Sequence, residues 1–151
     1  MIAIAFGGNH FNSKQLISTA MMDVAQHLCC VRESTIHQTS PLGQGTRNYF
    51  NSVITAESTG MDVSDLWQLC QEIEKQHGRN KVNEIPWGNR SIDVDVLFYH
   101  SVVHVDENLI LPHPQMHRRS FVLEPLVELI PDWVHPILNK RCKDLFFELS
   151  F

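Results

Sequence analysis

The stretch that decides the fold alternates between polar and apolar side chains, and it reads Ser91-Ile92-Asp93-Val94-Asp95-Val96-Leu97-Phe98-Tyr99. This alternation predicts a β-strand from residue 92 onward. Side chains two positions apart on a strand share a face, so Asp93 and Asp95 point the same way, with Cβ atoms roughly 6–7 Å apart. The opposite face is predicted to pack in the core, through Ile92, Val94, Val96 and Phe98.

Two carboxylates at that spacing repel each other unless a cation lies between them. Hard oxygen ligands favour Mg²⁺, which usually takes one or two carboxylates and completes its shell with phosphate oxygens and water. Arg90, just before the strand, adds a planar cation suited to phosphate. The pattern therefore predicts a magnesium–nucleotide site. An Asp-x-Asp pair on a strand is also common as a plain solvated surface, and that alternative stays open on these residues alone.

Length and charge exclude several classes of protein. A chain of 151 residues predicts one domain, and 43% apolar with 19% charged residues is ordinary for a globular protein. Twelve Lys and Arg against seventeen Asp and Glu give a net charge of −5. This acidic balance disfavours sequence-independent nucleic-acid binding, and no polybasic arm suggests membrane attachment. We expect no nucleic-acid partner, no membrane partner and a monomer.

The four cysteines form no C-x-x-C pair, which is typical of reduced thiols in the cytoplasm. The apolar run at residues 1–6 is too short for a signal peptide and follows no basic leader. No run approaches the roughly 18 apolar residues of a membrane helix. We therefore expect a cytoplasmic protein.

The predicted elements follow the order strand, helix, strand, strand, helix, strand. The strands are predicted at residues 2–6, 30–38, 49–57 and from 92, and the helices after a cap at Asn12 or Ser13 and at 62–77, ended by Gly78. A hairpin partner of the aspartate strand is predicted near 102–105, and further helices at 119–129 and 144–149. This order is the ferredoxin-like split βαβ pattern: an α+β fold with an antiparallel sheet, helices packed on one face, and a C-terminal extension.

Four segments carry a resemblance that spans nearly the whole chain. They are Ile4-Ala5-Phe6-Gly7-Gly8-Asn9, then Thr39-Ser40-Pro41-Leu42-Gly43 with Tyr49-Phe50-Asn51, then Gln71-Glu72-Ile73-Glu74 through Gly78-Arg79, and Trp87-Gly88-Asn89-Arg90-Ser91-Ile92-Asp93-Val94-Asp95. Pro112-His113 and Arg119-Ser120-Phe121 follow at matching distances. In this order they resemble the 6-hydroxymethyl-7,8-dihydropterin pyrophosphokinase family of folate biosynthesis.

The resemblance implies a reaction and a set of catalytic residues. The family moves the β,γ-diphosphate of ATP onto the hydroxymethyl oxygen of the pterin and releases AMP. Asp93 and Asp95 match its ligands for two Mg²⁺ ions. Arg79 and Arg90 match the arginines that hold the transferred phosphates.

The resemblance also implies two binding surfaces. The residues that match the pterin site are Asn51 at the amide edge, Tyr49 and Phe121 as aromatic walls, Thr39 and Leu42 in a contacting loop, and Trp87 in a mobile loop that covers the site. The residues that match the ATP site are Gln71, Glu74, Lys81, Arg90, His113 and Arg119.

The sequence departs from the family pattern mainly at the nucleotide end. Asn89 replaces the usual signature proline, Lys81 stands where a compared family member has arginine, and the other departures are Asn108, Ile110 and Pro114. Two alternatives therefore accompany the pyrophosphokinase: a relative that binds pterin or nucleotide without turnover, and an α+β interaction module whose Asp-x-Asp faces solvent. The pairs His100/His104 and His113/His117 suggest zinc only weakly, because Pro112 and Pro114 disfavour a helix there.

Overall fold

A computed structural model describes residues 1–40, 47–78 and 91–151 of the chain. The strands are β1 (Ile2–Gly8), β2 (Leu28–Cys29), β3 (Arg32–Glu33), β4 (His37–Thr39), β5 (Tyr49–Ala56), β6 (Ser58–Thr59), β7 (Asp93–Tyr99), β8 (His104–Val105) and β9 (Ile110–Leu111). The helices are α1 (Ser13–Ala25), α2 (Val63–Gln76), α3 (Ser120–Leu129) and α4 (Cys142–Ser150), with a short 3-10 helix at Met116–Arg118.

The main sheet is antiparallel and has the order β3-β5-β1-β7, with β4 also paired to β5. β1 lies at the centre, where the apolar side chains of Ile2, Ile4 and Phe6 are almost completely buried. β7 lies at the edge, so one side of its backbone is left to other elements. The ferredoxin-like α+β fold predicted from the order of elements is confirmed.

Each face of the sheet carries its own hydrophobic core. α1 and α2 cover one face, where they bury Ile4, Phe6, Ile54 and Val94. α3 covers the other, with α4 packed against α3, and they bury a second set of residues that includes Ala3, Val53, Phe98 and Leu123. The C-terminal extension therefore supplies the layer on the second face, a position that the sequence analysis did not assign.

A β-bulge changes the predicted faces of β7. Ile4 pairs with Val96 and Ala3 with Phe98, which leaves Leu97 without a partner on β1. The extra residue turns Leu97 and Phe98 to the same side, and both lie in the core under α3. The prediction that Phe98 shares a face with Val94 and Val96 was wrong, because strict alternation does not survive a bulge.

Two other predicted strands differ in the structure. The strand at 30–38 is split into β3 and β4 because the Ser34 hydroxyl accepts the Val53 N–H at 2.9 Å, in place of a backbone acceptor. β8 pairs with β9 rather than with β7. The Asp106 carboxylate accepts the N–H groups of Asn108 and Leu109 at 2.8 Å each, which folds β9 back onto β8.

The helix ends agree with the capping residues in the sequence. The Asp62 carboxylate accepts the Asp65 N–H at 2.9 Å and caps α2, and Gly78 follows the helix with φ +87°. Asn12 occupies the N-cap position of α1 without a capping side-chain bond. Across the three described ranges, no helix is both long enough and apolar enough to cross a bilayer.

Candidate active site

Asp93 and Asp95 lie on one face of β7, as predicted. Both side chains are half-buried, whereas Val94 is fully buried and Val96 is 3% exposed on the opposite face. The register places Asp93 opposite Gly7 and Asp95 opposite Ala5. Both carboxylates therefore project from the face that α3 covers further along the sheet.

A single row of residues crosses four strands on this face. Gly7 pairs with Asp93 on one side and with Asn51 on the other, and Asn51 pairs with His37 of β4. Neighbouring strands lie about 4.8 Å apart, so the backbones at Asn51 and Asp93 are separated by roughly 10 Å. The register thus places Asn51, the predicted contact to the pterin amide, and Asp93, a predicted metal ligand, on either side of Gly7.

Asn51 is the polar side chain that most clearly points to a ligand. It is 7% exposed, and its Nδ2 has no hydrogen-bond partner within the described part of the chain. Buried amide donors are almost always paired, because an unpaired one costs about 1–3 kcal/mol. Tyr49 lies two residues away on the same face, opposite Thr39 of β4. Three of the residues predicted for the pterin therefore converge.

α3 brings two more predicted residues to the same face. Arg119 stands just before the helix and Phe121 lies in its first turn, where the ring packs against the second core. The Arg119 guanidinium lies 5.7 Å from the centre of the Phe121 ring. α3 packs on β5 and β4, the strands that carry Asn51 and Thr39.

A cleft of about 240 Å³ opens at the edge of β7 that faces away from β1. It lies between α2, the β8–β9 hairpin and the segment that follows β9. Asp95, Gln71 and His113 line this cleft, so one predicted metal ligand and two predicted nucleotide residues are brought together. Its other lining residues include Trp67 and the three described departures from the family pattern, Asn108, Ile110 and Pro114.

His113 is held as a neutral imidazole. Burial, followed by the nearby charge of Arg119, lowers its pKa to about 4. Its Nδ1 accepts the Gln115 N–H at 3.1 Å, which assigns the ring proton to Nε2. The backbone N–H of His113 donates to the Leu97 carbonyl at 2.7 Å and fastens the residue to β7. The ring therefore offers the cleft a hydrogen-bond donor.

Glu74 of α2 forms a hydrogen bond with the backbone of the aspartate strand β7. The side chain is 2% exposed, and its Oε1 accepts the Val94 N–H at 2.7 Å. That N–H belongs to the residue between the two aspartates, on the edge of β7 that faces away from β1. Glu74 thus fixes α2 to β7 and is not part of the cleft lining. Its predicted contact with the nucleotide stays a prediction.

Five predicted site residues lie outside the described ranges. They are Leu42 of the pterin loop and Arg79, Lys81, Trp87 and Arg90 of the segment before the aspartate strand. Their predicted roles stay predictions.

The histidine pairs considered for zinc are engaged separately. His100 Nδ1 contacts the N-terminal amine at 2.8 Å, and His104 pairs with Asp106 at 2.7 Å. In residues 1–40, 47–78 and 91–151, no three His, Cys, Asp or Glu side chains are grouped as a metal site.

Sequence reasoning missed the residues whose importance depends on strand pairing. Gly7 lies opposite Asn51 and Asp93 because of the register in which β1 pairs with β5 and β7. The local sequence does not reveal that register. Trp67 also lines the cleft, but this cleft depends on the unpredicted β8–β9 hairpin. The pair Gly7-Gly8 at the end of a predicted strand is the local signal that another group lies close to the backbone there.

Comparison with known proteins gives the same family as the motifs. The family model for 7,8-dihydro-6-hydroxymethylpterin-pyrophosphokinase (HPPK) matches residues 3–131. The chain belongs to this family. It is 33% identical over 128 residues to the 2-amino-4-hydroxy-6-hydroxymethyldihydropteridine pyrophosphokinase of Bacillus subtilis, covering 83% of this chain and 75% of that protein. The enzyme of the same name from Haemophilus influenzae is 34% identical over 138 residues, covering 88% and 83%.

Solved HPPK structures share the fold. The structure of wild-type Plasmodium falciparum HPPK-DHPS superposes with a TM-score of 0.75 at 13% identity and covers 97% of this chain. This HPPK-family chain spans 44% of that longer chain, so the match supports the fold alone. The family resemblance read from the sequence is confirmed.

Proposed function

We propose that this chain is a pyrophosphokinase that transfers the β,γ-diphosphate of ATP to the hydroxymethyl oxygen of 6-hydroxymethyl-7,8-dihydropterin and releases AMP. One observation carries the proposal: the two aspartates stand between two binding surfaces. Asp93 shares a strand row with Asn51, and Asp95 lines the cleft with Gln71 and His113. Family membership and the names of the relatives support the same reaction.

The donor set suits magnesium. Two half-buried carboxylates on one strand face supply hard oxygen ligands, which Mg²⁺ prefers in combination with phosphate oxygens. We propose that Asp93 and Asp95 hold two Mg²⁺ ions together with the ATP phosphates. When bound, such ions neutralise charge on the phosphate oxygens.

The chain itself contributes positioning and electrostatics. Asn51 offers a donor and an acceptor to the amide edge of the pterin, and Tyr49 and Phe121 supply its aromatic walls. His113 donates Nε2–H to a phosphate oxygen, and Arg119 adds positive charge beside it. Phosphoryl-type transfer leaves the protein little covalent work beyond holding the two substrates in line.

The segments outside the described ranges complete the proposal. We assign Arg79, Lys81 and Arg90 to the phosphates, Leu42 to the pterin ring and Trp87 to the cover of the site. Covering the site would exclude water, so the diphosphate would pass to the pterin rather than to hydrolysis.

Two finer features belong to the same proposal. We propose a monomer, testable by light scattering, and a cytoplasmic enzyme. All four cysteines are free thiols, with Cys29 and Cys30 exposed, which is consistent with a reducing compartment.

The test is a product analysis with both substrates. ATP, Mg²⁺ and hydroxymethyl-dihydropterin are incubated with the protein, and nucleotides are separated chromatographically. We expect AMP and pterin diphosphate in equal amounts, with neither formed when the pterin is omitted. ADP as the product, or no AMP at saturating substrates, would contradict the proposal.

A binding protein without turnover is the second candidate. The observation that favours it is that Asn108, Ile110 and Pro114, where the sequence departs from the family pattern, all line the nucleotide cleft. Calorimetry separates the two candidates, because pterin binding in the absence of any AMP formation would support the second.

A further inference from the structure

Gly7 lies at the centre of the candidate site and carries no side chain. The residues of β1 on the face that α3 covers are Ala3, Ala5 and Gly7. Ala3 is fully buried, whereas Ala5 and Gly7 are partly exposed. Between Asn51 and Asp93 the sheet therefore presents only the backbone of Gly7 to the candidate site.

The Asn51 amide uses the space that Gly7 leaves. A Cβ atom built on Gly7 would lie 2.8 Å from Asn51 Oδ1, closer than Cβ atoms approach oxygen in real structures. The next atom, the backbone oxygen of Phe50, would be at 3.6 Å, an ordinary contact. The Asn51 side chain thus leans over β1, and only the glycine permits this orientation.

A second observation indicates that this orientation serves a ligand. Asn51 is 7% exposed, and Nδ2 has no partner in the described ranges, although a buried donor is normally paired. An amide presents its donor on one side and its acceptor on the other, so rotation of the side chain changes what the pterin meets.

We propose that Gly7 is a positioning residue for pterin recognition. Its missing side chain holds open the orientation in which Asn51 faces the ring. This inference rests on the proposed function. Gly7 acts through Asn51 and is not itself a catalytic residue.

Gly7→Ala should change the orientation of Asn51 without unfolding the protein. The conflicting atom is the end of a side chain, so Asn51 can rotate away and the fold is kept. Gly8 differs, because a Cβ there would lie 2.4 Å from the backbone oxygen of Ser91 and 2.7 Å from Ser13 Oγ. Gly60 is the matched control, since a Cβ there meets no atom within 4 Å.

The first experiment compares Gly7→Ala and Gly60→Ala with the wild type. Pterin binding is measured by calorimetry with Mg²⁺ and a non-hydrolysable ATP analogue, and KM is measured for both substrates. We expect Gly7→Ala to weaken pterin binding roughly 10-fold or more and to raise the pterin KM in parallel, because the lost hydrogen bonds leave a buried amide unpaired. The KM for ATP should stay within about twofold, and Gly60→Ala should match the wild type. Unchanged pterin binding in Gly7→Ala would overturn the inference.

The second experiment tests whether Gly7 acts through Asn51. The side-chain amide resonances of Asn51 are assigned by their loss in Asn51→Ala and followed in the protein without substrates. They should shift in Gly7→Ala and not in Gly60→Ala, and unshifted resonances would overturn the inference. In the Asn51→Ala background, Gly7→Ala should change pterin binding by less than about twofold. An equal loss in both backgrounds would show that Gly7 acts independently of Asn51.

These outcomes are distinguishable from failure of the proposed function. If the wild type forms no AMP, the proposed function fails, whereas the amide resonances still report on Gly7. If the wild type turns over and Gly7→Ala binds pterin normally, only the inference about Gly7 fails.

Discussion

Three polar side chains of the candidate site differ in the hydrogen bonds that they make. Glu74 accepts a strand N–H and thereby fixes the position of the aspartates. His113 accepts one N–H at Nδ1 and keeps Nε2–H for the cleft. Asn51 leaves Nδ2 without a partner in the described residues. At the scale of single residues, Glu74 supports the strand, and the other two side chains keep donors that the proposed function assigns to ligands.

The lowered pKa of His113 predicts a pH-dependent stability. Its pKa is about 4 in the folded chain against an ordinary 6.5, so below pH 6.5 the unfolded chain binds the proton more readily. The free energy of unfolding should therefore fall as the pH drops from about 6.5 toward 4. We expect the His113→Gln variant to lose about 1–3 kcal/mol less than the wild type between pH 7 and 4.5, the range allowing for the partial exposure of the ring.

Urea denaturation at the two pH values measures this difference. Burial also lowers the pKa values of His117 and His135, but both residues are present in the two proteins, so their contributions cancel in the comparison. Equal losses in the two proteins would mean that His113 is not held neutral by its surroundings.

At the scale of elements, one carboxylate joins α3 to the chain that leads into β4. Glu128 accepts the Thr35 N–H at 2.9 Å, the Thr35 hydroxyl at 3.0 Å and His37 Nε2 at 3.0 Å. Burial alone would raise the pKa of Glu128, but the hydrogen bonds from Thr35 and His37 outweigh it and lower the pKa. This contact holds the helix that carries Phe121 against the strand that carries Thr39.

The Glu128→Gln variant should be less stable than the wild type. Its amide keeps one acceptor but loses the charge that strengthens all three bonds, so we expect a loss of about 0.5–1.5 kcal/mol in the free energy of unfolding. Glu124→Gln is the matched control, because Glu124 lies on the same helix and reaches His37 only at 3.8 Å. Equal effects of the two substitutions on urea unfolding would argue against the contact.

The elements also show how far the sequence could predict the structure. Side-chain periodicity and caps gave α2, β5 and the aspartate strand, since those signals are local. The bulge at Leu97, the Ser34 interruption and the β8–β9 hairpin were missed because each depends on a contact made elsewhere in the fold. The roles of Asn51, His113 and Phe121 came from the family motifs rather than from local physics. Only the pairing register placed Asn51 and Asp93 in one row.

At the scale of the whole molecule, the order of strands explains the site. β7 lies at the edge of the sheet, so its residues reach both the face under α3 and the open cleft beside α2. The C-terminal helices close the second face and place Phe121 there, while α2 and the β8–β9 hairpin form the cleft. The proposed pterin and nucleotide surfaces can thus share one pair of carboxylates.

The most direct test of this account measures AMP formation against Mg²⁺ concentration in four proteins. These are the wild type, Asp93→Asn, Asp95→Asn and a control, Asp65→Asn, which removes an exposed carboxylate from the first turn of α2. Each aspartate variant keeps the shape of the side chain and should lower the rate at least about 100-fold while remaining folded. The control should match the wild type. A variant at Asp93 or Asp95 that retains the wild-type rate and the wild-type dependence on Mg²⁺ would contradict the account.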